Sequence, residues 1–383
     1  MNKEFLKYIY IRLLRNLRRI FFIIPIIRNR VVFESFSGDA YSCNPKYISE
    51  ELRKQYGDSV EIIWAFNDPN KFKKELPKEI VTCRYRSFNH LIYRITSKVY
   101  VCNFLQAIEI PKRKGQLEIQ TWHGGGCYKK VGVAEKGRQA AYVKRQRMHV
   151  EETDLFITSS KYFENEVVKK QFGYKGEILS IGMPRNDILI NLPISSQVEK
   201  LKEKLGLPNN KLIALYAPTW RSGTKQYETL DIKKLTQAVD KKFGKKCIVL
   251  FRSHLYGNQS YDDVVDVSQY SDMQELLLLS DILITDYSSS MWDFSLSFKP
   301  CFLYTPDLKD YLDERGFDED IHSWGFSVSE SNKELVENIL QFDNEEYRQK
   351  MKNHHQFLES YEQGDAAKRV VAKIAEYCNL YRG

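Results

Sequence analysis

The stretch Asp281–Ser290 reads DILITDYSSS, and its reading decides the fold. An unbroken apolar run of this length, too short for a helix, marks a strand covered on both faces, which is the habit of parallel sheets. The run stops on polar residues and leads directly into the helical stretch MWDFSLS, which begins at Met291. Three neighbouring stretches repeat the pattern: KLIALYAPTW (211–220), KCIVLFRSH (246–254) and KPCFLYTPD (299–307). Helices predicted at Asp231–Lys242 and Met273–Ser280 separate them. Polar residues at the carboxyl ends of parallel strands are where such sheets bind ligands.

The first half of the chain carries a second series. VVFESF, from Val31, ends in the polar loop SGDAYSCNP, which feeds a helix near Pro45–Lys54. VEIIWAF (60–66), EIVTCRY (79–85), SKVYVCN (97–103), LEIQTWH (117–123) and TDLFITSS (153–160) follow as strands, with helices such as Phe88–Thr96 and KYFENEVVKKQF among them. Strands alternating with helices predict βαβ units. The expected architecture is α/β, with two Rossmann-like doubly wound domains joined near residue 195 and their strand ends around one cleft. Residues 31–195 form the first domain and 196–365 the second. The chain is mostly helical after Trp324, and 366–383 is a closing helix with Asp365 as its N-cap.

At 383 residues the chain fits two domains of ordinary size. Apolar residues make up 43% and charged residues 28%, as in a soluble globular protein. The seven cysteines are scattered singly without CxxC spacing, so neither a zinc site nor a disulfide framework is indicated, and a reducing cytosol is the economical reading. No other metal cluster is indicated: DED (318–320) is a loop acid run, and His354–His355 lies in a polar helix.

Nearly all of the net charge of +8 sits in residues 1–30, where Lys3, Lys7, Arg12, Arg15, Arg18, Arg19, Arg28 and Arg30 face Glu4 alone. A nucleic-acid binder would spread its charge differently. The same segment holds IFFIIPII (20–27), far short of the roughly 20 residues that span a bilayer. No small-residue cleavage site follows it, which argues against a signal peptide. Arginines at helical spacing beside Ile11, Leu13, Leu14 and Leu17 predict a basic amphipathic helix suited to an anionic membrane surface. A solvated helix packed on the rest of the protein is the alternative.

The chemistry concentrates at the strand ends. In QTWHGGGCYKKVG (Gln120–Gly132), His123 precedes Gly124, Gly125 and Gly126, with Lys129 and Lys130 close behind. A histidine can act as general base near neutral pH, and glycines let backbone N–H groups approach an anion. A satisfied histidine at a tight turn would read the same way. IGMPRND (181–187) places Arg185 at a helix start, for a phosphate or for an interdomain salt bridge, with Asn186 and Asp187 as caps. Pro218, Thr219 and Arg221 end one strand, and Arg252, Ser253 and His254 end another. Ser288, Ser289 and Ser290 open a helix, where hydroxyls and free N–H groups favour anions. Each alone reads equally as a cap, but together they point to a phosphate-bearing ligand.

These residues carry a family resemblance. FESFSGDAYSCNPK, QTWHGG, GMPRNDIL, YAPTWR, FRSH, ITDYSSSMWDF and KPCFLYTPDLKDYLDERGF, in this order over roughly residues 31–375, resemble the CDP-glycerol glycerophosphotransferase family. The resemblance implies a GT-B fold and transfer of a polyol phosphate, glycerol phosphate first, from a CDP-linked donor to a lipid-linked acceptor in teichoic acid or capsule synthesis. It implies His123 as the base on the acceptor hydroxyl. His254 would assist the departing phosphate or serve as a contact. Gly124, Gly125, Gly126, Arg185, Pro218, Thr219, Arg252, Ser253, Ser288, Ser289 and Asp293 would bind substrate. No metal or other cofactor is implied. The expected partners are CDP-glycerol or a similar CDP-polyol, a lipid-linked saccharide or polyol-phosphate acceptor and an anionic membrane surface, at the cytoplasmic face of the membrane.

One departure stands out: many relatives read His-Gly-Thr-Pro where this chain reads His123-Gly124-Gly125-Gly126-Cys127. The chain also lacks room for the extra amino-terminal domain of the long polymerases, which favours a short primase-like or capsule-type enzyme. The competing readings are a GT-B glycosyltransferase using a nucleotide sugar, separable by donor screening, and a non-catalytic membrane adaptor, which would bind donor without releasing CMP.

Overall fold

A computed structural model describes residues 3–125, 128–134, 139–191, 195–219, 227–253, 261–314 and 316–381. Gly126, Cys127, Arg221 and His254 therefore lie outside the described residues. The chain divides into two compact units, one of residues 1–125, 131–187 and 361–383, the other of 126–130 and 188–360.

The first unit is built on a seven-stranded sheet: β1 (Ile27–Glu34), β2 (Glu61–Phe66), β3 (Val81–Arg84), β4 (Ser97–Cys102), β5 (Leu117–Gln120), β6 (Leu155–Thr158) and β7 (Glu177–Ser180), in the order β3-β2-β1-β4-β5-β6-β7. Every pairing is parallel. The second unit carries β8 (Leu212–Ala217), β9 (Cys247–Phe251), β10 (Val265–Asp266), β11 (Ile282–Thr285), β12 (Cys301–Tyr304) and β13 (Ser327–Ser329), again all parallel, in the order β10-β9-β8-β11-β12-β13. β11 is central and fully buried, as its apolar run requires. In both sheets the chain winds outward from a central strand and then returns to that strand's other side. The switch points lie between β1 and β4 and between β8 and β11, and such crevices are where doubly wound sheets take ligands.

β7, β10 and β13 were not evident in the sequence. Glu177–Ser180 and Ser327–Ser329 carry too few apolar residues, and Val265–Asp266 is too short, to stand out. All three are edge strands, which need only one covered side.

The amino-terminal segment is only partly free. In the helix Lys3–Arg18, Ile11 and Arg15 face inward. Arg15 donates to the carbonyls of Ile108 (2.8 Å) and Ile110 (3.0 Å) and pairs with Glu152, while Glu4 pairs with Arg145. The apolar run after it is divided: Phe21, Phe22 and Ile24 pack against Leu91, Ile95 and Ile110, whereas Ile20 and Ile23 are exposed. β1 begins at Ile27, inside the predicted amino-terminal segment.

The closing helix spans Ala366–Cys378 and belongs to the first unit. Asp365 occupies the expected N-cap position, yet its side chain makes no capping bond. The cap comes from a distant residue, because the Asp187 carboxylate accepts from the N–H groups of Ala366 (3.0 Å) and Ala367 (2.8 Å). Burial raises the Asp187 carboxyl to about 6, against the lowering effect of those two bonds. An unfolded aspartate titrates near ~3.9. Between these values the folded state binds more protons, so stability falls as pH rises from about 4 to 6. The fall attributable to this group is on the order of 2–3 kcal/mol. Asp187→Asn, which keeps an acceptor oxygen, is expected to remove that component. Urea unfolding of both proteins at pH 4.5 and 7 checks it, and parallel pH profiles would contradict it.

Candidate active site

β5, the strand beside β4, ends at Gln120, so His123 stands three residues beyond the strand rather than on its end. Its Nδ1 lies 2.9 Å from the backbone carbonyl of Asn103. A carbonyl can only accept, so this bond places the proton of a neutral ring on Nδ1 and makes Nε2 the unprotonated nitrogen, the tautomer a general base needs. Aromatic rings surround the imidazole: Trp122 at 4.1 Å, Phe36 at 5.4 Å and Phe104 at 6.0 Å between centroids.

Trp122, the residue before the histidine, has φ 52°. A bulky side chain in the left-handed region costs about 1–3 kcal/mol and persists only where its surroundings enforce it. Arg185 is buried, and its Nη1 donates to the His123 carbonyl (2.6 Å) and to the Cys43 sulfur (3.2 Å). The arginine predicted for a phosphate is therefore in contact with the histidine loop. Gly125 is closely packed: a Cβ there would lie 3.2 Å from Met183 Cγ, and its carbonyl accepts from Ser159 Oγ (2.8 Å). Behind the glycines, Tyr128 stacks with Trp324 and meets Trp292 and His354 edge-on, while Lys129 lies over the Tyr311 ring.

In the second unit, Thr219 stands at the switch point between β8 and β11, and Arg252 and Ser253 follow the neighbouring strand β9. Thr219 follows Pro218 past the end of β8, and its N–H and hydroxyl both donate to the Asp286 carboxylate (2.9–3.0 Å) past the end of β11. Asp286, which sequence reasoning passed over, thus holds Thr219 in place. Beyond β9, the Ser253 N–H donates to Ser268 Oγ (2.8 Å). Among the described residues, Arg252 Nη1 is shielded from solvent without a hydrogen-bond partner. Burial lowers the basicity of this guanidinium, with Asp272 and Tyr270 acting the other way. A shielded cation lacking a bonded partner is an unmet demand for an anion.

The serine-led helix spans only Ser290–Ser295. Ser288 Oγ accepts from the Ser290 hydroxyl (2.9 Å), and Ser289 makes no capping bond. Six residues build little of the dipole expected from the sequence. Asp293 is buried, and its Oδ2 accepts from Gln274 Nε2 (2.8 Å), which places it beneath the surface of the unit.

Among the described residues one set, Cys102, Glu118 and His149, brings metal-ligand atoms within 4.8 Å of one another, all buried in the first unit. Its charges already have partners. His149 Nε2 lies 2.8 Å from Glu118 Oε1, and Arg94 lies 3.5 Å from Glu118 Oε2. Burial disfavours the charge on His149, but the adjacent Glu118 overrides it and raises the imidazole's basicity. Burial raises the Cys102 thiol, with the Glu118 and Glu34 carboxylates adding to the rise and His149 opposing it. The set is an ion-paired core: a metal ion would have to displace a proton from that thiol beside a guanidinium.

Comparison with known proteins places this geometry. Residues 16–376 match the sequence pattern of the CDP-glycerol:poly(glycerophosphate) glycerophosphotransferases. The chain belongs to this family. A teichoic acid poly(glycerol phosphate) polymerase of Bacillus spizizenii is 28% identical to this glycerophosphotransferase, over 97% of this chain and 99% of the relative. The polymerase of the same description from Bacillus subtilis is 29% identical over 85% of this chain, which spans only 45% of that longer relative. The solved structure of the wall teichoic acid polymerase TagF superposes with a TM-score of 0.82 at 27% identity, covering 98% of this chain and 96% of that one. The two Rossmann-like parallel sheets are those of the expected GT-B class. Three buried amides against the histidine loop of this glycerophosphotransferase, those of Asn44, Asn103 and Gln120, had no assigned role from the sequence. The available signal was Gln120, a polar residue inside an apolar strand.

Proposed function

We propose that this glycerophosphotransferase moves glycerol phosphate from CDP-glycerol to a hydroxyl of a lipid-linked acceptor during teichoic acid synthesis. The reading rests on His123, whose Nδ1 bond to the Asn103 carbonyl selects the tautomer with the basic, unprotonated nitrogen at Nε2. In the reaction, His123 Nε2 removes the acceptor's hydroxyl proton. The acceptor oxygen forms a bond to the phosphorus that bears glycerol, the bond from that phosphorus to the bridging oxygen breaks, and CMP departs with the bonding pair. Arg252 is assigned to the donor diphosphate, where its shielded Nη1 would meet charge, and Thr219, held by Asp286, is assigned to the same donor. Such transfers are accelerated mainly by positioning and by neutralising charge spread over phosphate oxygens. The test is CMP release with CDP-glycerol, CDP-ribitol and a nucleotide sugar offered separately. Release with CDP-glycerol supports the reading, and turnover of the nucleotide sugar alone would overturn it.

Peripheral attachment to the membrane through residues 1–30 is part of the proposal. No helix among the described residues is long and apolar enough to cross a bilayer. In the helix Lys3–Arg18 the apolar stripe Phe5, Ile9, Leu13 and Leu17 faces solvent, with Leu13 at 64% and Leu17 at 62% exposure. Its exposed basic residues include Lys3, Lys7 and Arg12. An apolar stripe turned away from its own protein and flanked by cations suits an anionic lipid surface. Burying a leucine side chain is worth about 1.5–3 kcal/mol. Leu13→Glu with Leu17→Glu is therefore expected to weaken binding to phosphatidylglycerol vesicles by at least about 100-fold. Affinity for CDP-glycerol should not change. Sedimentation with vesicles measures the first, and undiminished vesicle binding would contradict the assignment.

A further inference from the structure

We infer that the buried carboxamides of Asn103, Gln120 and Asn44 form a clamp on His123, and that Asn103 is the positioning residue that sets its tautomer. The inference rests on the reading of His123 as the base, but the tautomer itself can be measured without it.

Asn103 directly follows β4 and is fully buried. Its backbone carbonyl receives His123 Nδ1, and its side chain fixes that carbonyl's direction. Oδ1 accepts from the Phe36 N–H (2.8 Å), and Nδ2 donates to Ser35 Oγ (3.1 Å), which donates in turn to the Ser42 carbonyl (3.1 Å). The loop it grips is itself in the left-handed region at Phe36 (φ 47°) and Ser37 (φ 56°).

Gln120 and Asn44 hold the backbone of Trp122, the residue before His123. Gln120 Oε1 accepts from the Trp122 N–H (2.8 Å), while Nε2 donates to the Phe104 carbonyl (3.3 Å). Asn44 Nδ2 donates to the Trp122 carbonyl (3.1 Å), and Oδ1 accepts from the Arg185 N–H (3.1 Å). Trp122 thus has its N–H and its carbonyl each bonded to a buried amide, which accounts for its unfavourable φ. All three side chains use both ends. A carboxylate of the same shape has no donor and an aliphatic side chain has neither group, so only a carboxamide completes each position.

A merely structural role predicts that stability and activity fall together. A positioning role predicts a shift in the His123 tautomer and a loss of kcat while donor binding holds. The experiment uses the full chain labelled with 15N in the histidine rings, with His123→Ala identifying the His123 signals. In the wild type the proton should be on Nδ1. Asn103→Ala should give a mixture of the two neutral tautomers, lower kcat for CMP release by at least about 10-fold, and leave the Kd for CDP-glycerol within about twofold. Asn103→Asp, which keeps the acceptor for Phe36, should recover part of the loss. Should Asn103→Ala fail to fold, Gln120→Met removes the Trp122 and Phe104 bonds at similar volume and is expected to behave as Asn103→Ala. A wild-type proton on Nε2, an unchanged tautomer in the folded variant, or a changed tautomer with unchanged kcat would each overturn the inference. If His123→Ala retains full kcat, the base reading fails by itself, while the tautomer measurements still decide whether the clamp exists.

Discussion

His123→Ala is expected to lower kcat for CMP release by about 10²–10⁴-fold, the usual contribution of general acid–base catalysis, and to change the Kd for CDP-glycerol by less than about twofold. The split follows from where the side chain sits. The imidazole is held by the Asn103 carbonyl on the first unit, whereas Arg252 and Thr219, the groups assigned to the donor, belong to the second, as does Asp286, which holds Thr219. Removing the ring leaves the main-chain bond from Arg185 to the residue 123 carbonyl, so the loop keeps its anchor. The acceptor hydroxyl then has no group to take its proton, and the loss falls on the chemical step. Equal losses in kcat and in donor affinity would mean that the ring contacts the donor instead. Titration calorimetry and steady-state CMP release on the same preparation measure both quantities.

The second large effect is expected at Arg252. Arg252→Met should weaken CDP-glycerol binding by about 10–150-fold, the equivalent of a charge-assisted hydrogen bond worth about 1.5–3 kcal/mol. It should not destabilise the protein when no donor is bound. Among the described residues Nη1 is shielded without a hydrogen-bonded partner, and burial lowers the guanidinium's basicity, so the donor-free protein carries an unfavourable cation. Replacing such a charge with an apolar side chain of similar length removes a desolvation cost. The Tm without donor should therefore hold or rise, while the rise in Tm on adding CDP-glycerol shrinks, because ligand stabilisation scales with [L]/Kd. A fall in Tm of the donor-free variant together with unchanged donor affinity would make Arg252 a structural residue.

The fold was legible because its evidence is local. The apolar runs of β8, β9, β11 and β12 are buried on both faces, and a run of that kind has few other uses. The edge strands β7, β10 and β13 were not legible, since half-covered strands need no such run. The site divides along the same line. His123, Arg185, Thr219 and Arg252 were singled out because their residue types advertise chemistry at strand ends. Asn44, Asn103, Gln120 and Asp286 were not, because each works through partners distant in sequence: Asn103 reaches back to Phe36, Asp286 back to Thr219 and Asn44 forward to Trp122. Capping failed for the same reason. Asp365 has the position and the residue type of an N-cap, but Asp187 makes the bonds from far away in the chain.

The most direct test of the central claim is product analysis in a single reaction of the purified full chain with CDP-glycerol and a lipid-linked disaccharide primed with glycerol phosphate. Mass spectrometry of the acceptor and chromatography of the nucleotide are read together. The predicted result is an acceptor heavier by whole glycerol phosphate units, with one CMP released for each unit added. CMP released with the acceptor mass unchanged, or an acceptor carrying CMP with glycerol phosphate set free, would contradict attack on the glycerol-bearing phosphorus and with it the role given to His123.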